Sequence, residues 1–147
     1  MKLRLIKRQP ETHDVESFFW QPEEAIIYKP GQFLKWTVQD EKPDERGNSH
    51  FFTISSSPTE PEIHLTTKFS PEGSTFKKTL QAISIGDELE VFGPLGSFVL
   101  PDDASQPLVF VAGGLGVQPF RRMLKDRTEN KIYTPVHLLY SGSSDQT

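Results

Sequence analysis

The chain has 147 residues, enough for one full-sized domain and part of a second. Hydrophobic residues make up 35% and charged residues 24%, a globular balance, and a net charge of −4 without a long basic run argues against nucleic-acid binding. There is no Cys, so disulfides, thiolate zinc sites and thiolate-held iron–sulfur clusters are excluded within this chain.

The opening MKLRLIKRQP alternates polar and apolar residues and lacks the apolar centre of a signal peptide. No apolar stretch approaches the ~20 residues that span a bilayer. A cytoplasmic location is the default expectation.

Short strands are predicted at residues 2–7, 15–20, 32–39, 51–55, 63–69 and 88–92, with 97–100 as a short extra piece. The 12 Pro and 10 Gly fall between these runs. Six strands with such turn signals predict a small antiparallel barrel, and their uneven gaps disfavour a simple meander. One helix interrupts them. Ser74 or Thr75 can cap it, Phe76, Leu80 and Ile83 recur at helical spacing, and it stops before Gly86.

The pattern changes beyond Pro101. Residues 108–112 form a continuous apolar run, expected as a strand buried on both faces. Gly113-Gly114-Leu115-Gly116 follows, then a helix over 117–127 and a second buried strand over 136–140, which together make a βαβ unit. The boundary is placed in 101–106, giving a barrel at 1–101 and an α/β unit at 107–147. A nucleotide-binding α/β domain usually needs roughly 100 residues and several parallel strands, so about 40 residues read as an incomplete one.

Three constellations carry chemistry. The first is His50-Phe51-Phe52-Thr53-Ile54-Ser55-Ser56-Ser57-Pro58. It resembles the flavin signature of the ferredoxin-NADP⁺-reductase family, Arg-x-Tyr/Phe-Ser/Thr followed by a Ser-Ser-Pro turn. The resemblance implies a six-stranded Greek-key barrel that binds FAD, in preference to FMN. By that match Phe52 stacks on the isoalloxazine ring, next to Phe51. Thr53 sits near flavin N5, the hydride-exchanging atom, and is the catalytic candidate. A flat conjugated ring needs an aromatic face, and N5 needs a polar neighbour that does not quench transfer. His50 stands where the family has an arginine for the pyrophosphate. It lacks the bidentate guanidinium fork, so Lys68 or Arg46 is expected to supply charge.

The second constellation, Thr66-Thr67-Lys68 followed by Gly73-Ser74-Thr75-Phe76, is similar to the family's second flavin segment, a strand and a helix whose N-terminus faces the pyrophosphate. The third, Gly113-Gly114-Leu115-Gly116-Val117-Gln118-Pro119, resembles the family's glycine loop for a nicotinamide dinucleotide, with Gly113, Gly114, Gly116 and Pro119 as binding candidates. Pro30-Gly31-Gln32-Phe33, Gly86–Val91 and Gly93–Phe98 match further pieces in family order. Leu139–Ser144 resembles the next strand end. It lacks the Arg that reads a 2′-phosphate, which leaves NADH and NADPH both open.

The scattered His13, His64 and His137 have no metal-ligand spacing. Residues 40–46 read as a solvated loop, and Arg121, Arg122 and Lys125 are expected to face water. The resemblance implies a flavoprotein oxidoreductase taking hydride from NADH or NADPH and passing electrons to an acceptor such as a redox protein. The alternative is a non-catalytic flavin- or nucleotide-binding module, or a subunit whose other half lies on another chain. A cofactor-free barrel adaptor would require all three constellations to be coincidence.

Overall fold

In the computed structural model, which describes residues 1–142, six strands form one sheet: β1 (Lys2–Pro10), β2 (Val15–Pro22), β3 (Phe33–Thr37), β4 (Ser49–Thr53), β5 (Ile63–Lys68) and β6 (Glu88–Leu95). Their order is β4-β3-β6-β1-β2-β5, and every pairing is antiparallel. The two edge strands approach where β4 ends: the Ser55 N–H donates to the His64 carbonyl at 2.8 Å. This curls the sheet around its core, as an edge strand's free N–H and C=O groups require partners.

Alternation drives the burial. Leu3 and Leu5 point inward while Lys2 and Arg4 face out, and Leu34 and Trp36 do the same on β3. Trp20 and Trp36 meet at 5.1 Å between ring centroids near the middle of the core. Helix α1 (Thr75–Ala82) closes one opening with fully buried Phe76 and Leu80. Its capping matches the sequence expectation, since Ser74 Oγ accepts from the Lys77 N–H at 3.2 Å.

A second hydrophobic cluster follows. Strand β7 (Leu108–Gly113) leads through a 3₁₀ turn (Gly114–Val117) into α2 (Gln118–Glu129), and β8 (Val136–Ser141) pairs parallel to β7. Phe110 stacks on Phe120 at 4.4 Å, with Ala112 and Met123 completing the cluster.

Several boundaries differ from expectation. Residues 97–100 are not a strand. Instead β6 runs on to Leu95, and Gly96 (φ 101°) turns the chain so that Phe98 packs edge-on against Phe120 at 5.7 Å. The run 108–112 is not buried on both faces. Phe110 and Ala112 face α2, while Val109 and Val111 are 65% and 69% exposed. β8 is also largely exposed. One helix covers one face of a two-stranded sheet, and among the described residues nothing covers the other. Ser143 and Ser144, at the end of the segment compared with the next strand end, lie outside the described residues. No helix among the described residues is long and apolar enough to cross a membrane.

Candidate functional site

The ends of β4 and β5 and the start of α2 face one another across a cleft of about 320 Å³, lined by Phe51, Phe52, Thr53, Ser55, Thr66, Thr67, Lys68, Lys77, Leu115, Gly116, Gln118 and Pro119. Members of all three constellations meet there, although Phe51 and Pro119 lie 68 positions apart in sequence. β4 delivers the aromatic and hydroxyl wall, β5 the threonines and a lysine, and the glycine turn the opposite wall.

On β4 the two-residue period puts His50 and Phe52 on one face. Phe52 packs on Phe76 at 5.6 Å and on His50 at 6.3 Å, so the core holds its ring in place. Phe51 faces the other way, is 61% exposed, and meets Phe33 edge-on at 5.6 Å. Thr66 shares a hydrogen bond with Ser17 at 2.8 Å, and Lys68 Nζ pairs with Asp14 at 2.9 Å.

His50, Gly73, Ser74, Thr75, Gly113 and Gly114 do not line this cleft. His50 lies against Phe76 at 4.8 Å, and its Nε2 is buried with no hydrogen-bond partner among the described residues. Burial lowers its pKa, and the charges of Lys77 and Arg46 lower it further. Gly73 makes a turn, donating its N–H to the Ser70 carbonyl at 2.9 Å. Gly113 ends β7 in extended backbone, and Gly114 takes φ 52°, the left-handed conformation a glycine accepts without strain.

Three groups escaped the sequence reading. Asp44, expected in a solvated loop, holds the first turn of α1. Its Oδ2 accepts from the Thr75 N–H at 3.1 Å, and its own N–H donates to Thr75 Oγ1 at 3.0 Å. A carboxylate is favoured there by the helix dipole. Nothing local could reveal a partnership across 31 residues. Lys77 lines the cleft one turn into α1, with Nζ donating to the Lys68 carbonyl at 2.7 Å. Arg122 is buried and Lys125 half-buried, and both meet Glu60, at 3.9 and 2.8 Å. Arg121 is exposed, as expected.

The serines after Thr53 are not a surface turn. Ser55, Ser56 and Ser57 are buried and polar groups meet them: Ser56 Oγ shares a bond with Tyr28 Oη at 2.9 Å and accepts from the His64 N–H at 3.1 Å. Burial pushes the Tyr28 hydroxyl up to about 12. His64, beside Glu60, Glu62, Arg122 and Lys125, has its pKa lowered, mainly by burial.

His50 and His64 therefore bind protons less readily folded than unfolded. Both start from 6.5 in the unfolded chain, so their contribution is intact above that value and lost as pH falls below it. The melting temperature is expected to fall between about pH 7 and 5, before the carboxylates titrate. The variant His50→Gln/His64→Gln should flatten that slope. An unchanged slope would show that these histidines titrate alike in both states.

A group with a flat ring and an anionic tail fits the donor set. The cleft offers an aromatic face, threonine hydroxyls and two lysines, and its volume lies within the ordinary range for ligand pockets, roughly 300–1,000 Å³. Among the described residues no cluster of His, Asp or Glu could hold a metal ion.

Comparison with known proteins agrees with this fold. The reductase component of propane 2-monooxygenase from Rhodococcus jostii is 28% identical over 148 residues, covering 99% of this chain and 39% of that protein. A flavohemoglobin from Malassezia yamatoensis, solved with bound FAD and heme, superposes with a TM-score of 0.81 at 24% identity, over 98% of this chain and 38% of that one. Ferredoxin-NADP⁺ reductase from Plasmodium falciparum gives a TM-score of 0.80 at 19% identity, over 98% and 63%. The chain thus spans less than two-fifths of the curated relatives it matches, 39%, 35% and 33% for three of them. Residues 2–100 match the oxidoreductase FAD-binding domain. This chain belongs to that family, the oxidoreductase FAD-binding domain.

Proposed function

We propose that this chain is the FAD-holding part of a reductase that takes hydride from NADH or NADPH and passes electrons to a redox acceptor. The observation that carries the reading is the cleft between the β4–β5 wall and the glycine turn before α2. The reductase relatives support it. So do the two hydrophobic clusters, which fit a division into a barrel at 1–101 and a nucleotide-binding segment at 107–147.

When bound, FAD supplies a ring that accepts a hydride and releases electrons singly or in pairs. Phe52, backed by Phe76, offers a fixed face for the ring, and Phe51 shields its edge. Thr53 brings a hydroxyl to the same wall without a titratable group. Lys68 and Lys77 offer charge to the phosphates, with Thr66, Thr67 and the Gly73–Ser74–Thr75 turn beside them. His50, its pKa lowered mainly by burial, leaves that charge to Lys68 and Lys77, since Arg46 lies outside the cleft and pairs with Asp44 at 2.8 Å. Gly113, Gly114, Gly116 and Pro119 are assigned to the dinucleotide, where a glycine-rich turn admits a pyrophosphate to backbone N–H groups.

The test separates ring from phosphate. Lys77→Met should weaken FAD about tenfold, since a hydrogen bond to a charged group contributes roughly 1.5 kcal/mol or more. Riboflavin, which has no phosphate, should bind wild type and variant alike. Equal FAD affinity in the two proteins would remove Lys77 from the phosphate site.

A further inference from the structure

The buried serine turn that follows Thr53 is tied to α2 by a lattice of charged and hydroxyl groups. Glu129, near the end of α2, accepts through Oε2 from Ser57 Oγ at 2.9 Å and from Thr59 Oγ1 at 2.7 Å. From the barrel side, Glu60 Oε1 accepts from Lys125 Nζ at 2.8 Å, and its Oε2 accepts from the Ser57 N–H and lies 3.9 Å from Arg122 Nη1. Lys125 also reaches Glu129 at 3.6 Å, one turn along the helix, which closes the lattice. Arg122 is 9% exposed, so the lattice is rooted in a buried cation, while Lys125 and Glu129 lie at its partly solvated rim. On the other side of α2, Phe98 packs on Phe120, and Arg127 Nη2 donates to the Pro101 carbonyl at 2.6 Å.

Geometry gives this lattice a consequence. Gln118 and Pro119, at the first turn of α2, line the cleft opposite Phe52 and Thr53. The helix is a rigid rod of 12 residues, so whatever fixes its far half also fixes where its first turn stands. The anchor on the barrel is the turn that leaves β4 directly after Thr53.

We propose that Glu60, Lys125 and Glu129 are positioning residues. They form a latch that sets the separation between the nucleotide-binding turn and the flavin wall, and so the rate of hydride transfer. This rests on the flavoprotein reading above. Hydride transfer needs near-contact distance and alignment, and a displacement of about 1 Å can cost up to ~10²-fold in rate. None of the three residues lines the cleft, and their substitution is expected to leave flavin affinity unchanged.

The absence of Cys allows a direct measurement. Glu90→Cys on the barrel and Thr128→Cys on α2, both at exposed positions, take spin labels for a distance distribution. Lys125→Met should broaden that distribution. In the intact protein it should also slow flavin reduction by saturating NADH or NADPH at least about tenfold, with the FAD dissociation constant unchanged. Lys125→Arg should restore both, and Glu60→Gln should reproduce the loss from the barrel side. If both loss variants keep the wild-type distance width and reduction rate, the latch is overturned. If the wild type binds no FAD, the flavoprotein reading fails instead, and the distance distribution still reports on the latch.

Discussion

Phe52→Ala is expected to weaken FAD binding at least about tenfold. Stacking contributes about 0.5–1.5 kcal/mol beyond area burial, and the lost apolar contact adds to it. Because 1.4 kcal/mol is a factor of ten, the sum reaches that size. Phe76 and His50 already hold the ring on its core side, so its orientation is set before any ligand arrives. Phe51→Ala is the control. That ring is mostly exposed and contacts Phe33 by its edge, and the expected loss is under about threefold. Fluorescence titration with FAD measures both. A larger loss at Phe51 than at Phe52 would reverse the assignment of the stacking face.

Gly31→Ala is expected to destabilise the fold by at least about 2 kcal/mol. Gly31 takes φ 101°, and a Cβ there would overlap the Phe98 carbonyl oxygen and press on the Met123 methyl. Strain and collision act together, against backbone that cannot step aside. Gly47→Ala isolates the first effect, since φ is 73° but no atom lies within 4 Å of the added Cβ, so about 1 kcal/mol is expected. Urea denaturation of the two variants measures the difference. Equal losses would mean that the barrel and α2 are not packed closely at Gly31.

What was legible in the sequence follows from how local its cause is. Alternation at Leu3 and Leu5, the Ser74 cap and the glycine turn before α2 depend on neighbours a few residues away, and each stands close to where its pattern puts it. The cleft-lining segment of β4 was legible because Phe52, Thr53 and Ser55 lie within four residues of one another. Asp44 was not, because its partner Thr75 is distant in sequence and a charged loop residue looks the same whether it caps a helix or meets water. Arg122 and Lys125 escape a local reading for the same reason: the carboxylate that faces their charge, Glu60, lies on another part of the chain. The exposed faces of β7 and β8 show the converse. A continuous apolar run predicts burial on both faces, but burial also needs a covering element, and a run of apolar residues does not specify one.

The central claim, that this barrel holds FAD, is tested most directly by the visible absorption spectrum of the purified protein, followed by identification of any flavin released on denaturation. One FAD per chain is expected, either carried through purification or taken up stoichiometrically when added. A protein that is colourless as purified and takes up neither FAD nor FMN on addition would contradict it.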